Sequence, residues 1–107
     1  MKDCTCLING QGDFSRKYLG QDPSNGRFAD IYLEECKNCK QMWLYYEYEN
    51  EAISHSKRYY RGAISDLTAK TVNLKTAVQI LENLEEYFYG GSYFGLDKPK
   101  KTKGEIF

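Results

Sequence analysis

Cysteine occurs four times in this chain of 107 residues, always in close pairs: Cys4 and Cys6 in "CTC", Cys36 and Cys39 in "CKNC". Two thiols this near in sequence can reach one ion, and structural zinc sites commonly join two such pairs across a fold. The CxxC pair suits that role well, because both sulfurs can face one ion while nearby backbone amides offset thiolate charge. CxC is a tighter and less common spacing. A chain of this length is one domain with a modest buried fraction, so a staple matters to it. If the four cysteines share an ion, the metal holds the glycine-rich N-terminal stretch, with Gly10, Gly12, Gly20 and Gly26, to the rest of the fold.

Other chemistries for four cysteines fit less well. Ferredoxin-type clusters use different spacings. A thioredoxin-like pair belongs beside a βαβ unit, whereas this CxxC precedes a hairpin. Disulfides and unbound thiols are the remaining choices. The N-terminus lacks the apolar stretch of a secretory signal, and nothing approaches a membrane span. These features lead us to expect a soluble, cytoplasmic protein, and in a reducing compartment cysteine clusters bind metal more often than they pair.

With 15 basic and 15 acidic residues the formal net charge is zero, which argues against a dedicated nucleic-acid binder. Ten tyrosines favour half-buried strands. "IYLEE", "MWLYYEYE" and "AISHSKRYYR" read as strands, the last two joined as a hairpin across "ENEA". Alternation puts Met42, Leu44, Tyr46 and Tyr48 on one face, inward, and Trp43, Tyr45, Glu47 and Glu49 on the other. "AKTV" at 69–72 is a candidate extra strand. From Leu74 to Tyr89 the apolar spacing turns helical, through Ala77, Val78, Leu81, Leu84 and Phe88. Asn73 is its expected N-cap and Gly90–Gly91 its stop. The fold expected is therefore α+β: a small antiparallel sheet of three or four strands, one long helix in the C-terminal half packed on it, and a zinc-ribbon-like N-terminal part. Residues 1–96 form the expected domain and 97–107 a flexible basic tail.

Few residues suggest catalysis. His55, the sole histidine, has no neighbouring nucleophile or cysteine in sequence, and is expected on a sheet surface beside Glu47. Ser54, Ser56 and Ser65 lack a nucleophile elbow. Trp43, Tyr45, Glu47, Glu49 and Glu51 combine rigid aromatics with alternating charge, a pattern suited to protein contact. A solvated strand face accounts for the acids equally simply. "KRYYRG" interleaves Lys57, Arg58 and Arg61 with Tyr59 and Tyr60, a mixture that can grip phosphates and stack bases. Its alternative role is internal, with packed tyrosines and basic ends paired to the acidic strand. "YFYGGSYFG" is expected to turn back so that Tyr93 and Phe94 lock against the sheet or helix end.

The run "ECKNCKQMWLYYEYENEAISHSKRYYRG", continuing to "YFYGGSYF", resembles small uncharacterised bacterial proteins associated with immunity to polymorphic or contact-dependent toxins. The resemblance covers about residues 34–94 and excludes the CxC pair. It implies a cytosolic stoichiometric inhibitor with no catalytic residues. Three functions follow in order: a non-enzymatic, zinc-stapled protein-interaction module whose partner is another protein such as a toxin domain; a nucleic-acid-binding zinc ribbon using Lys57, Arg58, Tyr59 and Arg61; and a small redox or metal-handling protein.

Overall fold

The computed structural model describes residues 4–22, 29–49 and 56–106; Glu51 and His55 lie outside them. A short helix α1 (Thr5–Asn9) precedes strands β1 (Phe14–Asp22), β2 (Ala29–Cys36), β3 (Met42–Tyr48) and β4 (Arg58–Ile64). Helices α2 (Asp66–Thr71) and α3 (Ala77–Asn83) follow, then β5 (Tyr87–Gly91), a 3-10 turn (Ser92–Phe94) and β6 (Leu96–Thr102). The six strands form one antiparallel sheet in chain order, so every strand pairs with its sequence neighbour.

The two faces of β3 part as alternation requires. Leu44 and Tyr46 join Ile31, Tyr60 and Ile64 in a core closed by Ala77 and Leu81 of α3. Trp43 points the other way, into a second cluster with Cys6, Cys36 and Phe88. β3 and β4 pair as expected, with Leu44 opposite Gly62 and Tyr46 opposite Tyr60, but β4 starts at Arg58 rather than at residue 52, and residues 50–55 of the expected turn and strand lie outside those described. Gly62 has a steric reason: a Cβ there would lie 2.3 Å from a methyl of Leu84 and 2.9 Å from one of Leu81. The absent side chain lets α3 approach the sheet.

The expected α+β architecture is overturned. The sheet has six strands rather than three or four, and the longest helix, α3, has seven residues. Only the middle of the stretch from Leu74 to Tyr89 is helical. Its end is β5, an inner strand between β4 and β6, with Tyr87 and Phe88 both buried on opposite faces. A strand buried on both sides has consecutive apolar residues, which mimicked the continuation of a helical stripe. Asn73 does not cap the helix; its side chain accepts from the Lys75 amide in the preceding turn, and Thr76 is the N-cap. "AKTV" is not a strand, because Ser65 starts α2 by accepting from the Thr68 amide at 3.1 Å.

Residues 1–30, rich in glycine, read as loops and residues 97–107 as a tail, yet each region supplies an edge strand. β1 carries Arg16, Lys17 and an irregularity between Tyr18 and Gly20, and pairs with β2 along its length. The stretch expected as a flexible basic tail at 97–107 is instead held for the most part: β6 pairs with β5, and Ile106 packs against the core. Charged residues, proline and bulges protect an exposed sheet edge from pairing with other chains, and the same features hide such a strand from hydropathy. As expected, Phe94 packs on the sheet, edge-on to Tyr60 and Tyr89. Tyr93 stays half exposed, under the guanidinium of Arg58 at 3.8 Å.

Leu81 has no solvent exposure and sits at the centre of the α3–sheet contact. Leu81→Ala should therefore cost about 2–5 kcal/mol, measured by urea unfolding with an unchanged m-value. A loss below about 1 kcal/mol would place α3 outside the cooperative core.

Candidate metal centre

The two cysteine pairs come together from different kinds of local structure. Cys4 stands in extended conformation just before α1, and Cys6 in its first turn. Cys36 ends β2 and Cys39 lies in the turn that leads to β3. In that turn the Lys40 amide donates to the Cys36 carbonyl at 2.8 Å, and the Cys36 amide to the Gln41 carbonyl at 2.9 Å. This wraps the backbone around the cysteine pair. The N-terminal part is not a pair of ribbon hairpins, since only the CxxC lies on a strand-to-strand turn.

All four Sγ atoms lie within 4.8 Å of one another. Cys4 and Cys36 are 3.7 Å apart, and Cys6 and Cys39 are 3.6 Å apart. An ion holding thiolates at about 2.3 Å in a tetrahedron sets its sulfurs about 3.8 Å from each other. The four cysteines thus form a cluster with the span of a single-ion site. None is in a disulfide. Cys6 and Cys36 are buried, Cys4 is intermediate, and Cys39 faces solvent.

The surroundings treat the sulfurs unequally. The backbone amide of Cys6 and then the Asn38 carboxamide, 3.3 Å from Sγ, push the Cys4 thiol down to about 6. Burial first, and then the neighbouring sulfurs, push the Cys6 thiol up. Several thiolates packed this closely repel, and a cation among them removes that penalty.

α1 is docked by contacts outside the sulfurs. Gly10 ends it at φ 70°, and a Cβ at Gly10 would lie 2.5 Å from the Phe88 ring. Glycine satisfies both the left-handed turn and the close packing. Its carbonyl accepts from Arg61 Nη1 at 2.9 Å. Trp43 lies beneath the cluster, wedged between Phe14 and Phe88. Its buried Nε1 has no hydrogen-bond partner among the described residues, a cost of about 1–3 kcal/mol offset by ring packing.

The residues expected to meet a partner are divided by the fold. Trp43 and Tyr45 are only 1% and 5% exposed, so neither offers a free ring. The Tyr45 hydroxyl donates to Glu47 at 3.0 Å, and Glu47 also pairs with Lys57 at 3.5 Å. Glu49 is exposed. The tyrosine most open to solvent on this face, Tyr18, belongs to β1, the strand that the sequence reading missed. Tyr18 is 52% exposed and donates to Asp30, and it starts a cross-strand row through Tyr32, Tyr45 and Tyr59. The alternation of Phe14, Arg16 and Tyr18 was the available signal for the first of these strands.

The basic segment is largely engaged internally. Arg58 is held between Tyr48 and Tyr93 at 5.0 and 3.8 Å. Arg61 is bound to Glu34 at 2.7 Å, and Arg16 reaches the same carboxylate at 2.6 Å. Glu34, which sequence reasoning did not single out, is fully buried between them. No family model matches the chain, and no curated protein or solved structure matches it either. Among the described residues no helix is long and apolar enough to cross a membrane.

Lys40, beside the CxxC, is the one non-glycine residue at positive φ (67°) among the described residues. A left-handed conformation costs such a residue about 1–2 kcal/mol, part of which glycine would return as unfolded-state entropy. Lys40→Gly should therefore stabilise the protein by about 0.5–1 kcal/mol, read by thermal unfolding with metal present. Destabilisation would show that the lysine side chain contributes more than the turn costs.

Proposed function

We propose that this protein binds one zinc ion through Cys4, Cys6, Cys36 and Cys39 and acts by binding another protein rather than by catalysis. The observation that carries the metal assignment is the mutual approach of four sulfurs from two distant segments. A cluster of several irons distributes its thiolates over different metal atoms, farther apart than the edges of one tetrahedron. Tetrahedral all-thiolate sites suit zinc among single ions. Four protein sulfurs leave zinc no open position for a reactive water, so its role is to staple α1 to the β2–β3 turn.

Protein binding is supported by the face that carries Tyr18, Tyr32, Asp30, Glu47 and Glu49, where aromatic rings and carboxylates lie together. Tyrosine supplies contact area at low entropic cost, and flanking charge accelerates encounter with an oppositely charged partner. A basic protein partner suits this face, in keeping with the resemblance to bacterial toxin-immunity proteins. The nucleic-acid alternative has less support, because Arg58 and Arg61 are engaged internally and Lys57 pairs with Glu47.

Native mass spectrometry and elemental analysis should find one zinc per chain. Cys36→Ser should lose the metal and much of the stability, because the binding energy of such a site is folding energy. A metal-free, fully folded wild-type protein, or iron in place of zinc, overturns the assignment.

For the partner face, a tagged protein should retain a basic partner from its source cells. Glu49→Lys alone, and with Glu47→Lys, should weaken that retention in steps while the fold persists by circular dichroism. Equal retention by all three proteins would make the acids a solvated strand face.

A further inference from the structure

On the sheet face opposite α3, two arginines converge on one carboxylate, which by itself does not match their charge. Glu34 brings one negative charge, and Arg16 and Arg61 bring two positive charges to within 2.6 and 2.7 Å of it. Of the nearby acids, Asp13 pairs with Lys37 at 3.6 Å, and Glu47, which pairs with Lys57 at 3.5 Å, offsets part of the Arg16 charge as well.

Each guanidinium carries five N–H groups. Arg16 gives Nε and Nη2 hydrogens to Glu34. Arg61 gives Nε and Nη2 hydrogens to Glu34 and one from Nη1 to the Gly10 carbonyl. Their other N–H groups have no protein partner among the described residues. Both guanidiniums line one hollow of about 480 Å³, together with Gln11, Gly12, Phe14, Tyr59 and the acidic Asp13, whose carboxylate pairs with Lys37.

The donors are already fixed in place. Arg16 lies 4.7 and 4.8 Å from the ring centres of Tyr32 and Tyr45. Arg61 lies 4.5 Å from those of Phe14 and Tyr45. Stacked guanidiniums held by a buried carboxylate need little reordering when an anion arrives, and their forks match tetrahedral oxyanions.

We propose that this hollow binds a phosphate group, either free or as the end of a phosphate monoester, through Arg16 and Arg61. The phosphate supplies the negative charge that Glu34 leaves unmatched. Tyr59, at the rim, offers a ring face to the substituent of a monoester. This site is separate from the cysteine cluster and stands without the metal assignment.

The test is titration of the isotopically labelled protein, as purified, with sodium phosphate, followed by nuclear magnetic resonance against sodium chloride of equal ionic strength. Saturable shifts at Gln11, Gly12, Asp13 and Arg61, absent with chloride, are expected. Arg16→Gln should weaken phosphate at least about tenfold, the scale of one lost charge-assisted bond. Arg16→Lys keeps a charge beside Glu34 but lacks the fork, so it should also lose most of the affinity. Lys70→Gln, a surface-charge control on α2 at the opposite face of the sheet, should bind as the wild type does. Adenosine monophosphate separates the two sources: tighter binding that Tyr59→Ala abolishes indicates a monoester, and equal binding indicates free phosphate. Shifts equalled by chloride, or unchanged affinity in a folded Arg16 variant, overturn the site.

Discussion

A carboxylate without access to water, Glu34, lies on β2, next to the edge strand β1, and constrains much of what surrounds it. Removing an ionised group from water costs several kcal/mol unless partners and hydrogen bonds replace the solvent. Its partners come from both sides: Arg16 stands directly opposite in β1, and Arg61 reaches across from β4. Slipping β2 by one residue would turn Glu34 into the core of Leu44, Tyr46 and Leu81, and put Ile31 among the arginines. Strand register is thus held by charge on one face and by apolar packing on the other.

The same constraint extends to the cysteines. Arg61, fixed by Glu34, holds the Gly10 carbonyl, and Gly10 ends the helix that presents Cys6. Phe88 packs against Gly10 from β5, so α1 is docked by contacts that belong to the sheet. Sheet contacts help bring one pair of sulfurs to the other, into a cluster whose span a single ion could bridge.

The two faces of the sheet divide the work. One is closed by α2, α3 and the C-terminal residues around Leu44, Tyr46 and Tyr60, and contributes mainly burial. The other carries, in sequence along its surface, the sulfur cluster, the arginine hollow and the row of tyrosines with Asp30 and Glu47. Arginine and tyrosine suit that face because both have apolar bodies that pack and polar ends that stay available.

By themselves, the residues marked the cysteine cluster, the β3–β4 hairpin and the inward face of β3. Each is a local pattern: close thiol spacing, an alternating aromatic run, and two such runs in succession. Long-range pairing decided the rest. Tyr87 and Phe88 are a strand because β4 and β6 flank them, and β1 and β6 are strands because a neighbour accepts their backbone hydrogen bonds despite their polar side chains. The burial of Glu34, Trp43 and Tyr45 was equally beyond local pattern. A glutamate in "YLEEC" looks solvated until Arg16 and Arg61 arrive from other strands, and a tryptophan looks available until α1 covers it. Local spacing records which groups a chain has; which of them lose water depends on segments far away in sequence.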